Sequence, residues 1–152
     1  MPFYQRILVS TGPKATFLIR LLVGLVFLSE GIQKFLFPAS LGPGRFLKIG
    51  IPAPQLMAPF VGAIEILCGS LLVLGLLSRL AVFPLLAVIS VAIASTKVPI
   101  LFAGNLWGMA HEARADYSML MGLLFLLIVG SGPFSIDHHL AKNLAGAGRD
   151  RS

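Results

Sequence analysis

Four long apolar stretches, separated by short polar or Gly- and Pro-rich segments, dominate the pattern of the chain. A bilayer hydrocarbon core about 30 Å thick needs roughly 20 helical residues to cross it. The first stretch covers residues 16–37 and stops at Pro38, a residue that does not continue a helix. We therefore predict a first transmembrane helix over 16–37, followed by a loop over 39–55 that is rich in Gly and Pro.

The next apolar stretch is too long for a single crossing. Residues 56–96 would form a helix of about 60 Å at 1.5 Å per residue, twice the thickness of the bilayer core. The chain must fold back, and residues 75–79 supply a glycine, a serine and a charge near the middle of the stretch. We predict a second helix over 56–76 and a third over 79–96, packed as an antiparallel hairpin with Arg79 anchoring the turn.

The last part of the chain predicts one more span and two shorter segments. Residues 100–113 are too polar and too few to cross a bilayer, so we expect an interfacial or partly re-entrant segment with Trp107 at headgroup level. The fourth span is predicted over 115–131. A short amphipathic helix capped by Ser135 should then lie on the membrane surface, and residues 145–152 should be disordered.

Composition agrees with an all-α fold, a four-helix transmembrane bundle with short interfacial segments. Apolar residues make up 57% of the chain and charged residues 12%, against roughly 45–50% and about 25% in soluble domains. The net charge of +6 comes from basic residues scattered near the ends of the apolar stretches. This distribution favours contact with anionic membrane lipids over binding of nucleic acid, which needs a basic stripe.

Topology follows from the number of spans and the positions of the basic residues. Four spans place both termini on one side of the membrane. That side would carry Arg6, Lys14, Arg79, Lys142, Arg149 and Arg151, and the other side Arg45, Lys48, Lys97 and Arg114. The excess favours cytoplasmic termini, because loops rich in Lys and Arg stay in the cytoplasm.

A few ionisable side chains fall inside the predicted spans, where charge is costly. Glu30 and Lys34 are spaced i, i+4 in the first helix, in the favourable order for an ion pair, and Gln33 lies beside them. Helix arithmetic brings Glu65 of the second helix to a similar depth. His111 and Asp116 lead into the fourth helix on the same outer side.

The polar side chains thus predict a pocket that opens toward the non-cytoplasmic face. Two interpretations of its charges stay open from the sequence. They are either a structural network that fixes how the helices pack, or candidate groups for binding a ligand or a proton.

The sequence offers no self-contained redox centre. It has one cysteine, Cys68, whereas thiol exchange needs a second cysteine to resolve the mixed disulfide. None of the three histidines lies in a predicted span, so we expect neither haem nor a bound metal. A noncovalently bound quinone remains compatible with the chain, since it needs only an apolar slot and one or two polar contacts.

Several segments resemble the DoxX family of small bacterial membrane proteins. The matching pieces are residues 25–34 (LVFLSEGIQK), 50–54 (GIPAP), Glu65 with Gly69, 75–79 (GLLSR) and 111–116 (HEARAD). The resemblance covers roughly residues 16–137. It implies a single four-helix domain over 1–152, placed in the bacterial cytoplasmic membrane.

The resemblance also implies a first hypothesis for function. The family is associated with a terminal quinol oxidase, with thiosulfate:quinone oxidoreduction and with thiol and oxidative stress. We expect an accessory subunit of a quinone- or thiol-linked redox system that acts with redox partner proteins; whether it is itself an enzyme stays open. The alternatives are a binding or transport module for a lipophilic small molecule and a membrane scaffold or receptor for a partner protein. Small residues in the helices also permit a homo-oligomer.

Overall fold

The computed structural model describes residues 12–149, with the backbone alone from residue 143 onward. All regular structure in this range is helical, which confirms the predicted all-α fold class. In chain order the described helices are α1 (Thr16–Leu36), α2 (Pro43–Lys48), α3 (Pro54–Leu74), α4 (Ser78–Thr96), α5 (Val98–Phe102), α6 (Leu106–Val129) and α7 (Ile136–Arg149).

Proline and glycine set most of the helix ends. Helix α1 stops just before Pro38, and α2 and α3 begin with Pro43 and Pro54, at the position where a missing N–H group costs nothing. Helix α3 ends at Gly75, whose φ of +69° is the left-handed conformation that glycine adopts readily. The chain therefore folds back at the place that the sequence predicts.

The fourth long helix differs from its prediction. The bounds of α1, α3 and α4 lie within about two residues of the predicted spans, but α6 begins at Leu106 instead of 115. The side-chain oxygen of Asn105 accepts a hydrogen bond from the N–H of Gly108 at 2.8 Å and so caps a new helix turn there. The segment 100–113 is therefore mostly helical and largely continuous with the fourth helix.

The tail also contains more helix than predicted. The N–H of His138 donates to Oγ of Ser135 at 3.1 Å, which confirms the predicted cap of the amphipathic helix. The backbone of residues 145–149 continues α7, whereas the sequence predicts a disordered tail from residue 145. Alanine favours helix in this part of the chain and proline is absent from it, while Gly146 and Gly148 disfavour helix. Residues 150–152 lie outside the described part.

Three of the described helical segments are long and apolar enough to cross a membrane: Thr16–Leu36, Pro54–Leu74 and Ser78–Phe102. Large apolar side chains such as Leu36, Leu67 and Ile128 are mostly exposed on the surface of the bundle, as lipid contact requires. Helix α6 is as long as the others but carries Glu112, Arg114 and Asp116 in its first half. The fourth span over 115–131 therefore stays a prediction.

The four long helices form one bundle whose two ends differ. We call the end at which α1 begins the lower end and the end at which α1 finishes the upper end. Helix α1 packs most extensively on α3, while α6 packs on α4 and α1. The buried apolar core lies toward the lower half and contains Val23, Phe27, Cys68, Leu72, Val82, Leu85, Leu123 and Leu126.

Helices α1 and α3 approach each other closely through facing glycines. A Cβ atom built on Gly69 would lie 2.9 Å from the carbonyl oxygen of Gly24. A Cβ atom built on Gly31 would lie 2.7 Å from the carbonyl oxygen of Gly62. The two backbones are therefore in direct contact at both levels, as small residues permit between membrane helices.

A carboxylate from the tail closes the lower end. Asp137 accepts hydrogen bonds from the N–H groups of Leu77 and Ser78, at 2.7 and 3.0 Å, and its own N–H donates to the carbonyl oxygen of Gly75 at 2.9 Å. Leu77 precedes α4 and has no side-chain oxygen with which to cap the helix. Asp137 supplies that cap from about 60 residues away along the chain.

A buried arginine fixes the same region from the other side. Arg20 is only 4% exposed, and its two terminal nitrogens donate to the carbonyl oxygens of Ser131 and Phe134, both at 2.6 Å. These carbonyls belong to the segment that joins α6 to α7. We call Arg20 and Asp137, with their backbone partners, the lower clasp.

The glycine contact gives a first prediction. Gly31→Ala should lower the free energy of unfolding by about 1–3 kcal/mol, because the added methyl group meets backbone atoms that cannot rotate away. Thermal unfolding in detergent measures the change. Ala63→Leu is the control, since this residue is on α3 but exposed. Equal melting temperatures for Gly31→Ala and the unmodified protein would contradict the close contact.

The lower clasp gives a second prediction. Asp137→Ala should reduce the free energy of unfolding by about 1.5–3 kcal/mol, because two backbone N–H groups lose a charged acceptor. His138→Ala, which changes the next and exposed residue, should have little effect. The measurement is again unfolding in detergent. A larger loss for His138→Ala than for Asp137→Ala would show that the clasp is not what holds α7.

Candidate functional site

A buried ion pair joins α1 to α3 in the upper half of the bundle. Nζ of Lys34 lies 2.7 Å from Oε2 of Glu65 and 3.8 Å from Oε2 of Glu30. Glu65 is only 3% exposed, whereas the side chain of Glu30 is about half exposed. The close approach of the helices at Gly31 and Gly62 places Lys34 within reach of the facing helix.

A second ionic cluster joins the end of α4 to α6. Nζ of Lys97 lies 3.4 Å from Oδ2 of Asp116 and 3.8 Å from Oε2 of Glu112. The two acids are spaced i, i+4 and so share one face of α6. Lys97 is buried, and burial of an ammonium group requires such partners.

A cavity of about 490 Å³ lies between these two clusters. Its volume falls in the range of small-molecule sites in proteins. Most of its walls are apolar, and all four long helices contribute to them. Phe46 of α2 and Ile49, the residue that follows α2, also line the cavity, and α2 packs on α3.

Four of the residues predicted for the site line this cavity: Glu30, Lys34, Glu65 and Asp116. They come from three helices, so the structure brings together groups that the sequence separates by as many as 86 positions, from 30 to 116. The cavity lies in the upper half, where the sequence predicts the polar pocket. Which side of the membrane this half faces stays a prediction.

The other predicted residues lie outside the cavity. Gln33 donates to Oγ of Ser29 at 2.8 Å on the exposed side of α1. His111 is exposed, and its carbonyl oxygen accepts from Arg114 at 2.8 Å. Trp107 is 83% exposed, and Arg79 donates to the carbonyl oxygen of Ile128 at 3.1 Å near the lower end.

Three polar residues that line the cavity were not predicted: Arg45, Ser95 and Thr96. Arg45 belongs to the short helix α2, whose position in the bundle has no periodic signal in the sequence. Ser95 and Thr96 lie at the end of the apolar helix α4. Polar residues in that position usually mark only the end of a helix and do not indicate a site. Helix phase would have connected them to the cavity, because Ser95 and Thr96 follow Ala92, which also lines it, at i+3 and i+4.

The arrangement supplies an apolar chamber with a few fixed polar groups. Lys34 has hydrogen-bond donors to offer, and the carboxylates of Glu30, Glu65 and Asp116 are acceptors. Within the described part of the chain, no group of three or more His, Cys, Asp or Glu residues is placed to hold a metal ion. The groups that line the cavity can enclose a largely apolar molecule and form hydrogen bonds with it.

The Lys34–Glu65 pair gives a third prediction. Lys34→Met should reduce the free energy of unfolding by about 3–5 kcal/mol, because it leaves the carboxylate of Glu65 buried without its partner. The double variant Lys34→Met/Glu65→Leu should regain most of that loss, since no charge then remains buried at this contact.

Chemical unfolding in detergent measures both variants. Gln33→Leu, at a position that does not line the cavity, is the control for placing an apolar residue on this part of α1. A double variant that is no more stable than Lys34→Met would mean that the two side chains are not coupled.

Comparison with known proteins places the chain in a family. The family model described as DoxX matches residues 15–98. The "Uncharacterized membrane protein Rv3486" of Mycobacterium tuberculosis is 52% identical over 153 residues, which cover 97% of this chain and 94% of that protein. The "Putative oxidoreductase CatD" of Bacillus subtilis is 30% identical over 128 residues, covering 84% of this chain and 87% of that protein. No solved structure matches the chain.

These matches agree with the membrane character of the helices and with the resemblance seen in the sequence. The family model covers more than half of the chain, and the mycobacterial relative covers nearly all of it. The protein is a membrane protein and belongs to the DoxX family.

Proposed function

We propose that this protein is a quinone-binding accessory subunit of a membrane redox system, and that the upper cavity holds the quinone. The observation that carries the proposal is the position of the Lys34–Glu65 ion pair in the wall of an apolar cavity inside the membrane bundle. Ionisable groups in such a place are costly, and they usually mark a functional site.

The size and the lining of the cavity fit a quinone ring. A volume of about 490 Å³ accommodates a substituted ring and the first part of an apolar tail. The apolar walls, which include Phe27, Phe60 and Val88, would surround the ring and tail. The ammonium group of Lys34 would donate a hydrogen bond to one ring oxygen while keeping its contact with Glu65. The quinone would supply the electron-carrying chemistry, and this chain its binding and orientation.

The quinone-linked form of the hypothesis is better supported than the thiol-linked form. The sequence has one cysteine, and Cys68 is buried in the core of the bundle. A buried single thiol is poorly placed to exchange with a disulfide. The name of the Bacillus subtilis relative, "Putative oxidoreductase CatD", supports a redox setting. Redox partner proteins and a location in the cytoplasmic membrane are part of the proposal.

Copurification of a quinone tests this function and is the fourth prediction. The unmodified protein, extracted with its native lipids, should retain a quinone that native mass spectrometry detects. Lys34→Met/Glu65→Leu should lose it, because the donor to the ring oxygen is gone while the fold remains. Gln33→Leu should retain it, since this residue lies outside the cavity.

Two results would count against the proposal. If the unmodified protein holds no quinone, even after loading with decylubiquinone, the cavity is not a quinone site and the proposal fails. Retention of the quinone by the double variant would show that it binds elsewhere. Retention of a different lipophilic molecule that depends on Lys34 and Glu65 would favour a binding or transport module instead.

A further inference from the structure

The wall of the cavity formed by α4 and α6 has hydroxyl groups whose protons are already used. Oγ of Ser95 donates to the carbonyl oxygen of Val91 at 2.8 Å, and Oγ1 of Thr96 donates to that of Ala92 at 2.6 Å. A hydroxyl group has a single proton and two lone pairs. Toward the cavity, both side chains therefore offer hydrogen-bond acceptors.

The third polar group of this wall is also an acceptor. Asp116 lines the cavity and forms an ion pair with Lys97 at 3.4 Å. An ionised carboxylate accepts hydrogen bonds and donates none. The ammonium group of Lys97 is not among the groups that line the cavity, and it contacts both Asp116 and Glu112. The polar side chains of the α4–α6 wall thus present acceptors to the cavity and no donor.

The opposite wall is different. There the ammonium group of Lys34 has three N–H donors. Its Nζ donates to the carbonyl oxygen of Glu30 at 3.4 Å and forms an ion pair with Glu65 at 2.7 Å. The exposed guanidinium group of Arg45 lies on α2, in the upper part of the cavity. A ligand that spans the cavity therefore meets donors together with the carboxylates of Glu30 and Glu65 at one side, and polar side chains that are all acceptors at the other.

The two oxidation states of a quinone respond differently to such walls. A quinone has two carbonyl oxygens, and both are acceptors. A hydroquinone has two hydroxyl groups, and each can donate and accept. A quinone that spans the cavity would place one carbonyl oxygen against the α4–α6 wall. There this oxygen would find no hydrogen-bond donor among the polar side chains and would lie beside the carboxylate of Asp116. An unpaired buried polar group of this kind costs about 1–3 kcal/mol.

We propose that the cavity binds the hydroquinone form of its ligand in preference to the quinone form, with one hydroxyl donating to Asp116 in the α4–α6 wall and the other oxygen accepting from Lys34. This inference rests on the proposed function and specifies its ligand. A tenfold preference for the reduced form corresponds to about 30 mV of increase in the reduction potential of the bound two-electron couple. The protein would then hold reduced quinone.

A competition experiment measures the preference directly and is the fifth prediction. The full-length protein in detergent is incubated without oxygen with an equimolar mixture of decylubiquinol and decylubiquinone. The complex is separated from free ligand, extracted, and both forms are quantified by chromatography. We expect about a tenfold excess of the quinol in the bound fraction.

Asp116→Asn is the informative variant, because its amide has a donor as well as an acceptor. The bound ratio should fall toward one, since the quinone carbonyl then finds a partner. Glu112→Gln is the matched control. It removes one negative charge beside Lys97 from the same helix, but its position does not line the cavity. The bound ratio should stay near that of the unmodified protein.

The outcomes separate this inference from the proposed function. Binding of both forms with a ratio of one or below in the unmodified protein would overturn the preference and leave the quinone site in place. Equal ratios for Asp116→Asn and the unmodified protein would also overturn it, because Asp116 would not select the ligand. No retention of either form would overturn the proposed function and the inference together.

Discussion

The direct backbone contact between α1 and α3 is the constraint on which the upper half of the molecule depends. Gly24 faces Gly69 and Gly31 faces Gly62, and neither contact leaves room for a side chain. Because the helices are this close, Lys34 reaches Glu65 across the interface at 2.7 Å. A wider spacing would leave the buried carboxylate of Glu65 without its partner, at a cost of about 3–5 kcal/mol.

The two halves of the bundle are stabilised in different ways. The lower half is filled by apolar side chains from all four long helices and is closed by the lower clasp. The upper half leaves about 490 Å³ between two ionic clusters instead of filling it with side chains. A protein interior is normally packed without such space. The division separates the part that holds the fold together from the part that is available to a ligand.

Helix positions and the main ion pair were predictable from the sequence, for physical reasons. Apolar stretches of bilayer length and breaks at proline and glycine locate α1, α3 and α4. The i, i+4 spacing of Glu30 and Lys34, combined with helix depth, identifies Glu65 as their neighbour. These features depend on local periodicity, which is visible in a single sequence.

Contacts between distant segments were not predictable in the same way. The cap that Asp137 gives to α4 joins positions that share no periodic pattern, and Asp137 was not singled out at all. Its one signal was indirect: the tight turn after Gly75 leaves the first N–H groups of α4 without a local acceptor, so another segment had to supply one. The start of α6 was missed because the charges of 111–116 suggested an interface, whereas Asn105 begins the helix earlier.

The lower clasp has a consequence for the order in which the chain matures during synthesis. Ribosomes deliver α1, α3 and α4 to the membrane well before residue 137 exists, so the start of α4 has to remain without its cap until the tail emerges. The guanidinium group of Arg20 likewise cannot form its hydrogen bonds to the carbonyl oxygens of Ser131 and Phe134 until those residues have been synthesised. Synthesis of residues 131–137 is therefore the step that allows this end of the bundle to close, and a nascent chain that stops before residue 137 leaves the first N–H groups of α4 without their charged acceptor.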